Sequence, residues 1–218
     1  MYYDLFNTGY PEWQGKAWEY ADHIMTHVNN NFNGNYPSYI ILNELTSAWA
    51  NNSTYRAWAI QVCYRLKTQH AMKVVMLSQF PNPANHPADR QQLAGNCTYL
   101  GIECYLSGQE IKDSGYSTSW SQSQYQASKK SYLALGIASS KLMLVEHIGH
   151  TDSSVGWGRA GLTNLSNWRL AIQRRSAGSN SVGFAAFMSF GWGLNSGMNP
   201  PASSVTACAQ TYGGVDPF

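Results

Sequence analysis

The stretch YIILNELTSAW, residues 39–49, decides how the chain is read. Tyr39 to Leu42 form an unbroken apolar run, too short for a helix and of the kind that fills a strand buried on both faces. Asn43 and Glu44 stand where that run stops, and a loop carrying Trp49 follows. A polar pair at the end of a buried strand is the feature that the rest of the sequence has to explain.

Working outward, helical and strand-like patterns alternate. Residues 13–32 place Trp18, Ala21, Ile24, Met25 and Val28 at helical spacing, and 54–69 repeat apolar positions at three and four residues. The apolar run 73–80 reads as a second strand. A proline-broken loop, PNPANHPADR, leads to a short helix near 87–94. Strand 98–106, helix 119–140, strand 141–148, helix 162–178 with Gly178 as its stop, and strand 182–192 complete the chain. MYYDLF at the start has room for at most one further strand. Alternation of this kind with fully apolar strands predicts an α/β fold whose parallel strands are joined by helical crossovers. No strand is followed by G-x-G-x-x-G or G-x-x-x-x-G-K-[ST], which removes the main support for nucleotide binding.

Composition narrows the partners. The 218 residues are read as one domain, 1–218. Only 12% of them are charged and the net charge of +2 is scattered, so a nucleic-acid partner is not expected. No segment has the unbroken apolar length of a membrane span. MYYDLFNTGYPEW lacks the regions of a signal peptide, yet low charge with abundant Asn, Ser, Gly, Tyr and Trp suggests a secreted protein. Cys63, Cys97, Cys104 and Cys208 contain no C-x-x-C pair; they allow three disulfide connectivities or, equally, buried free thiols.

In parallel α/β proteins reacting groups lie at the C-terminal ends of strands. That rule selects Asn43–Glu44, Ser78–Gln79, Glu103 and Tyr105, Glu146–His147, and Phe190–Gly191–Trp192. Of twelve acidic residues, three thus lie at or near strand ends, where an unpaired carboxylate is costly to bury and suggests a use. Two carboxylates at one cleft are what glycosidic cleavage needs: one protonates the leaving oxygen, the other attacks the anomeric carbon or activates water. Trp49, Trp157 and Trp192, in or beside the loops that follow strands, supply faces on which sugar rings stack.

ILNEL, then LMLVEHIG, then FMSFGWG resemble the clan A glycoside hydrolases, (β/α)₈ barrels of the cellulase and mannanase type. The resemblance implies that Glu44 is the acid/base and Asn43 a contact to the sugar 2-hydroxyl, both ending the fourth barrel strand. It implies that Glu146, ending the seventh, is the nucleophile and that Trp192 ends the eighth. Tyr105 would support the nucleophile, and Glu44 and Glu146 are three βα units apart, as fourth and seventh strands should be. A full barrel needs about 250 residues. The implied architecture is therefore incomplete, five to six parallel strands from the C-terminal part, with open edges inviting self-association. The implied function is retaining hydrolysis of a β-linked polysaccharide or oligosaccharide, without a cofactor.

Plainer readings stand beside these. Glu44 suits an ordinary helix start, and Glu146 could pair with His147 or Arg159. Glu103, in mid-strand by this reading, is a substrate contact or the nucleophile under a shifted register. His147, with His150 and Asp152, offers weak metal-ligand spacing; no metal is expected, and His147 and Trp157 are read as sugar contacts. No serine sits in a G-x-S-x-G elbow. Trp18, Trp58 and Trp168 lie on helix faces and are read as core. The alternative from another class is a non-catalytic carbohydrate-binding protein on the same scaffold.

Overall fold

The computed structural model describes residues 2–4, 9–32, 36–43, 45, 48–78, 86–147 and 165–190. The chain divides into two compact units, residues 1–103 with 129–143, and residues 104–128 with 144–218.

The first unit holds β1 (Tyr2–Asp4), α1 (Tyr10–Trp13), α2 (Ala17–Phe32), β2 (Ile40–Asn43), α3 (Ala48–Asn51), α4 (Ser53–Thr68), β3 (Val74–Ser78), α5 (Pro87–Asn96) and β4 (Tyr99–Glu103). These strands pair in parallel and in chain order, with Tyr3 opposite Leu42, Ile41 opposite Val75, and Met76 opposite Leu100. The alternation of β and α patterns gives this result, because a parallel neighbour can be reached only by a crossover. MYYDLF does supply a strand, β1. All five residues of β3 are buried, as a central strand covered on both faces requires.

Helices α2 and α4 pack on each other through the side chains that set their apolar spacing. Ala21, Ile24 and Val28 of α2 and Ala59, Val62 and Leu66 of α4 are fully buried. Asp22 ties the pair at its rim: Arg65 donates to it from both Nε and Nη2, at 3.0 and 2.9 Å, and His70 Nε2 lies 2.7 Å away. Trp58 is core, as expected. Trp18 is not; it is 51% exposed and lies under the Arg65 guanidinium, 5.1 Å from ring centre to Cζ. Its helical spacing was right for the edge of the apolar stripe, and a cation covers the ring instead of the core. Side-chain placement of Trp168 lies outside the described residues.

The second unit holds α6 (Gly108–Asp113), α8 (Leu165–Val182) and β6 (Ala186–Phe190). Residues of α7 (Thr118–Leu133) and of β5 (Leu142–His147) belong to both units. Ser107 and Glu110 form a reciprocal capping box that starts α6. The C-terminal boundaries differ from those read in the sequence. Gly178 is inside α8, which continues to Val182 and stops at Gly183, whose φ of +70° only glycine adopts without strain. Strand β6 accordingly begins at Ala186, four residues later than expected.

Among the described residues Cys63 and Cys97 are free thiols, and burial beside Cys97 pushes the Cys63 thiol up. Cys208 lies outside the described residues. No helix among them is long and apolar enough to cross a membrane.

Candidate functional site

In the first unit the C-terminal ends of three strands carry Asn43, Ser78 and Glu103. Asn43 closes β2 opposite Asp4 and is only 3% exposed. Glu44 lies outside the described residues, but the chain stays against β3 just past it, where Leu45 N donates to Leu77 O at 3.1 Å. Glu103 ends β4 and is half-buried, so its place is the strand end and not the mid-strand position expected of it. Trp49 lies in α3 and is 2% exposed, well covered for a residue expected to face a sugar.

Ser78, the last residue of β3, is the centre of a buried polar cluster. Arg90 Nη1, from the first turns of α5, donates to Ser78 Oγ at 2.8 Å. Ser78 Oγ also shares a hydrogen bond of 2.9 Å with the Tyr132 hydroxyl of α7. The Arg90 guanidinium lies over two rings, 4.8 Å from the centre of Trp49 and 5.9 Å from that of Tyr132. Burial pushes the Tyr132 hydroxyl above its ordinary pKa; the Arg90 charge and the Ser78 hydrogen bond work against that rise, and Glu103 adds to it. Burial lowers Arg90 as well, the cation being the form disfavoured in low dielectric. One ion pair and a backbone hydrogen bond, both from Arg56, lie next to this cluster. Arg56 Nε binds Asp89 Oδ2 at 2.6 Å and Arg56 Nη1 donates to Trp49 O at 2.8 Å, which fixes α3 and the start of α5 to α4.

In the second unit, Glu146 is the penultimate residue of β5 and 2% exposed; His147 ends that strand. Tyr105 lies two residues past the end of β4, half-buried and outside any strand. Cys104 N donates to Val145 O at 3.3 Å, so the segment just past β4 runs along β5 beside Glu146. Arg175 of α8 is buried and donates to Leu106 O. Trp157 and Trp192 lie outside the described residues, as do His150 and Asp152.

Sequence reasoning selected Asn43, Ser78, Glu103 and Glu146 by the rule of strand ends but passed over Arg90 and Tyr132. A signal for Arg90 was present: it precedes Leu93 and Ala94 by three and four residues, and all three are buried on one face of α5. A cation on an apolar stripe needs a local reason to be there. Among the described residues no group of three or more His, Cys, Asp or Glu could hold a metal ion. Comparison with protein-family models, with curated proteins and with solved structures finds no match.

Chemically, the first unit offers a half-buried carboxylate and an amide at strand ends and a buried cation in α5, and the second unit offers a buried carboxylate near the end of β5. Carboxylates in such positions are capable of acid–base or nucleophilic work.

Proposed function

We propose that the chain is an O-glycoside hydrolase of the (β/α)₈ cellulase and mannanase type that cleaves a β-linked glycan with retention. One observation carries the reading: Asn43 closes β2 in a buried position with Glu44 directly after it, and Glu146 is buried near the end of β5, three βα units further along the chain. Parallel pairing of β1 to β4 in chain order is the sheet that such a barrel contains. In this mechanism Glu44 protonates the glycosidic oxygen while Glu146 attacks the anomeric carbon, giving a glycosyl ester and the free leaving sugar. Glu44, now a carboxylate, then takes a proton from water as that water opens the ester. Asn43 bonds the sugar 2-hydroxyl, and Trp49, Glu103, Tyr105, His147, Trp157 and Trp192 are the proposed substrate contacts. No cofactor takes part in either step.

The test is hydrolysis of aryl β-glycosides and soluble β-glucans and β-mannans by the full chain. Glu44→Gln and Glu146→Gln should each lower turnover by roughly 10²–10⁴-fold without unfolding the protein. Proton NMR of the first-formed sugar should show the β-anomer, because two inversions restore the configuration. The α-anomer would mean inversion, for which carboxyl groups stand about 6.5–9.5 Å apart instead of about 5–5.5 Å. Glycan binding without hydrolysis, unchanged in Glu44→Gln, would overturn the enzyme reading in favour of a carbohydrate-binding protein.

A further inference from the structure

Cys63 of α4 and Cys97, the residue at which α5 ends, are brought together by contacts that do not involve sulfur. Asn96 Nδ2 donates to Ile60 O at 3.4 Å, and Lys67 Nζ donates to Gly95 O at 2.7 Å. Ile60, Cys63 and Lys67 follow one another at three and four residues and therefore share one face of α4. Residues 95–97 are thus laid along that face, with Cys63 between the two points of attachment. Cys97 is fixed on its other side as well: Lys141 Nζ donates to its carbonyl at 2.7 Å, and Thr98 N donates to Val74 O at 2.8 Å. Both cysteines are closed off from solvent, and their thiols hydrogen-bond each other.

A buried cysteine standing alone is inert, but two in contact can be joined. Once the core has closed, solvent cannot reach either sulfur and the raised Cys63 thiol yields little of the reactive thiolate. Any chemistry between them therefore belongs to folding, while a small disulfide such as oxidised glutathione can still meet them. One cysteine gives its proton to solvent and attacks a glutathione sulfur. The glutathione S–S bond breaks, one glutathione thiolate leaves, and a mixed disulfide remains. The second cysteine, likewise deprotonated, attacks the protein sulfur of that mixed disulfide and expels the other glutathione thiolate. Both released thiolates take up protons, so the cysteine pair loses two electrons and one oxidised glutathione becomes two thiols.

We propose that Cys63 and Cys97 join as a disulfide when the chain folds in the presence of such an oxidant, and that the bond staples the end of α5 to α4. Both cysteines belong to the first unit, and the ring from residue 63 to residue 97 encloses β3 and all of α5. Closing that ring takes freedom from the unfolded chain, which is where a disulfide acts most. It asks little of the folded one, because the thiols already touch and the contacts of Asn96, Lys67 and Lys141 hold them there. Cys104 belongs to the second unit, where its Sγ accepts from Ser128 Oγ at 3.3 Å. The bond does not rest on the glycosidase reading, and neither does its test.

The experiment refolds the reduced full chain from urea in a mixture of reduced and oxidised glutathione, alkylates the remaining thiols, and maps the linked peptides by mass spectrometry. Trypsin with chymotrypsin separates Cys97 from Cys104, because Tyr99 lies between them. The refolded protein should carry the Cys63–Cys97 link as its main disulfide. The same oxidation in concentrated urea should instead favour Cys97–Cys104, the pair nearest in sequence, since loop closure alone then decides. Relative to protein refolded with a reductant, the linked form should melt higher by roughly 5–15 °C, and Cys97→Ala should remove that difference. Cys63 and Cys97 both recovered as alkylated thiols, or Cys63 linked to Cys104 or Cys208, overturns the site. A Cys63–Cys97 link that leaves the melting temperature unchanged or lower overturns the claim that the bond fits this fold. Peptide mapping of the unsubstituted protein decides the pairing even if Cys97→Ala fails to fold.

Discussion

Ser78 holds two buried partners at once, so its removal should cost more than removal of either hydroxyl contact alone. Ser78→Ala strips Arg90 Nη1 and the Tyr132 hydroxyl of their shared oxygen. Tyr132→Phe leaves the Arg90 bond in place. Urea unfolding should show a loss of about 1–3 kcal/mol for Ser78→Ala and about 0.5–1.5 kcal/mol for Tyr132→Phe; the reverse order would mean that Ser78 is not the hub. Asp22 gives a pH-dependent case. Hydrogen bonds from Arg65 hold its carboxyl below the ordinary range, against a smaller opposing effect of burial, and His70 adds to the lowering. A depressed carboxylate contributes stability above its unfolded pKa and loses it as pH falls through the folded one. The stability difference between the protein and Asp22→Asn should therefore be present at pH 7 and shrink as pH falls below the ordinary carboxylate range of about 4. Its side chain is 44% exposed, so the difference will be modest. Sequence alone placed Asn43 and Glu146 at strand ends because apolar runs mark where strands stop. It did not show that Ser78, Arg90 and Tyr132 meet, since they come from three distant segments and only the fold brings them together.

Helix α8 shows why a glycine can be misread. Glycine near the end of an apolar pattern is a reasonable stop signal, but Gly178 is there for a different reason. A Cβ on it would lie 2.9 Å from the backbone N of Gln122 and 2.9 Å from Cβ of Ser121, both in α7. Replacement of a helical glycine by alanine ordinarily stabilises by up to about 1 kcal/mol. Here Gly178→Ala should instead destabilise by about 1–3 kcal/mol, because backbone cannot move aside as a side chain can. Thermal unfolding of the variant checks the sign, and a gain in stability would show that α7 and α8 do not approach this closely. The short helix α6 was missed for a simpler reason: its six residues are too few to display a period, although Ser107 and Glu110 carry the capping signature. Ser107→Ala should cost about 0.5–2 kcal/mol by calorimetry.

Alternation of apolar runs and amphipathic stretches made the parallel pairing of β1 to β4 legible, because few other topologies accommodate it. Closure into a barrel is not legible in the same way, since the same alternation serves open sheets. Of the three boundaries between the two units, one falls at the end of β4 and two fall inside regular structure, within α7 and within β5. Neither helix nor strand can melt over half its length without exposing the remainder, so unfolding should be a single event. Far-UV circular dichroism and tryptophan fluorescence should give coincident urea transitions; two resolved midpoints would show that the units unfold separately. The chain-order pairing of β1, β2, β3 and β4 has a further consequence, for synthesis on the ribosome. Each strand that leaves the exit tunnel meets its neighbour already made, and none has to wedge between two that are paired. Folding can therefore advance with translation, one crossover at a time, and the apolar strand newest from the tunnel is the one that a chaperone would need to shield.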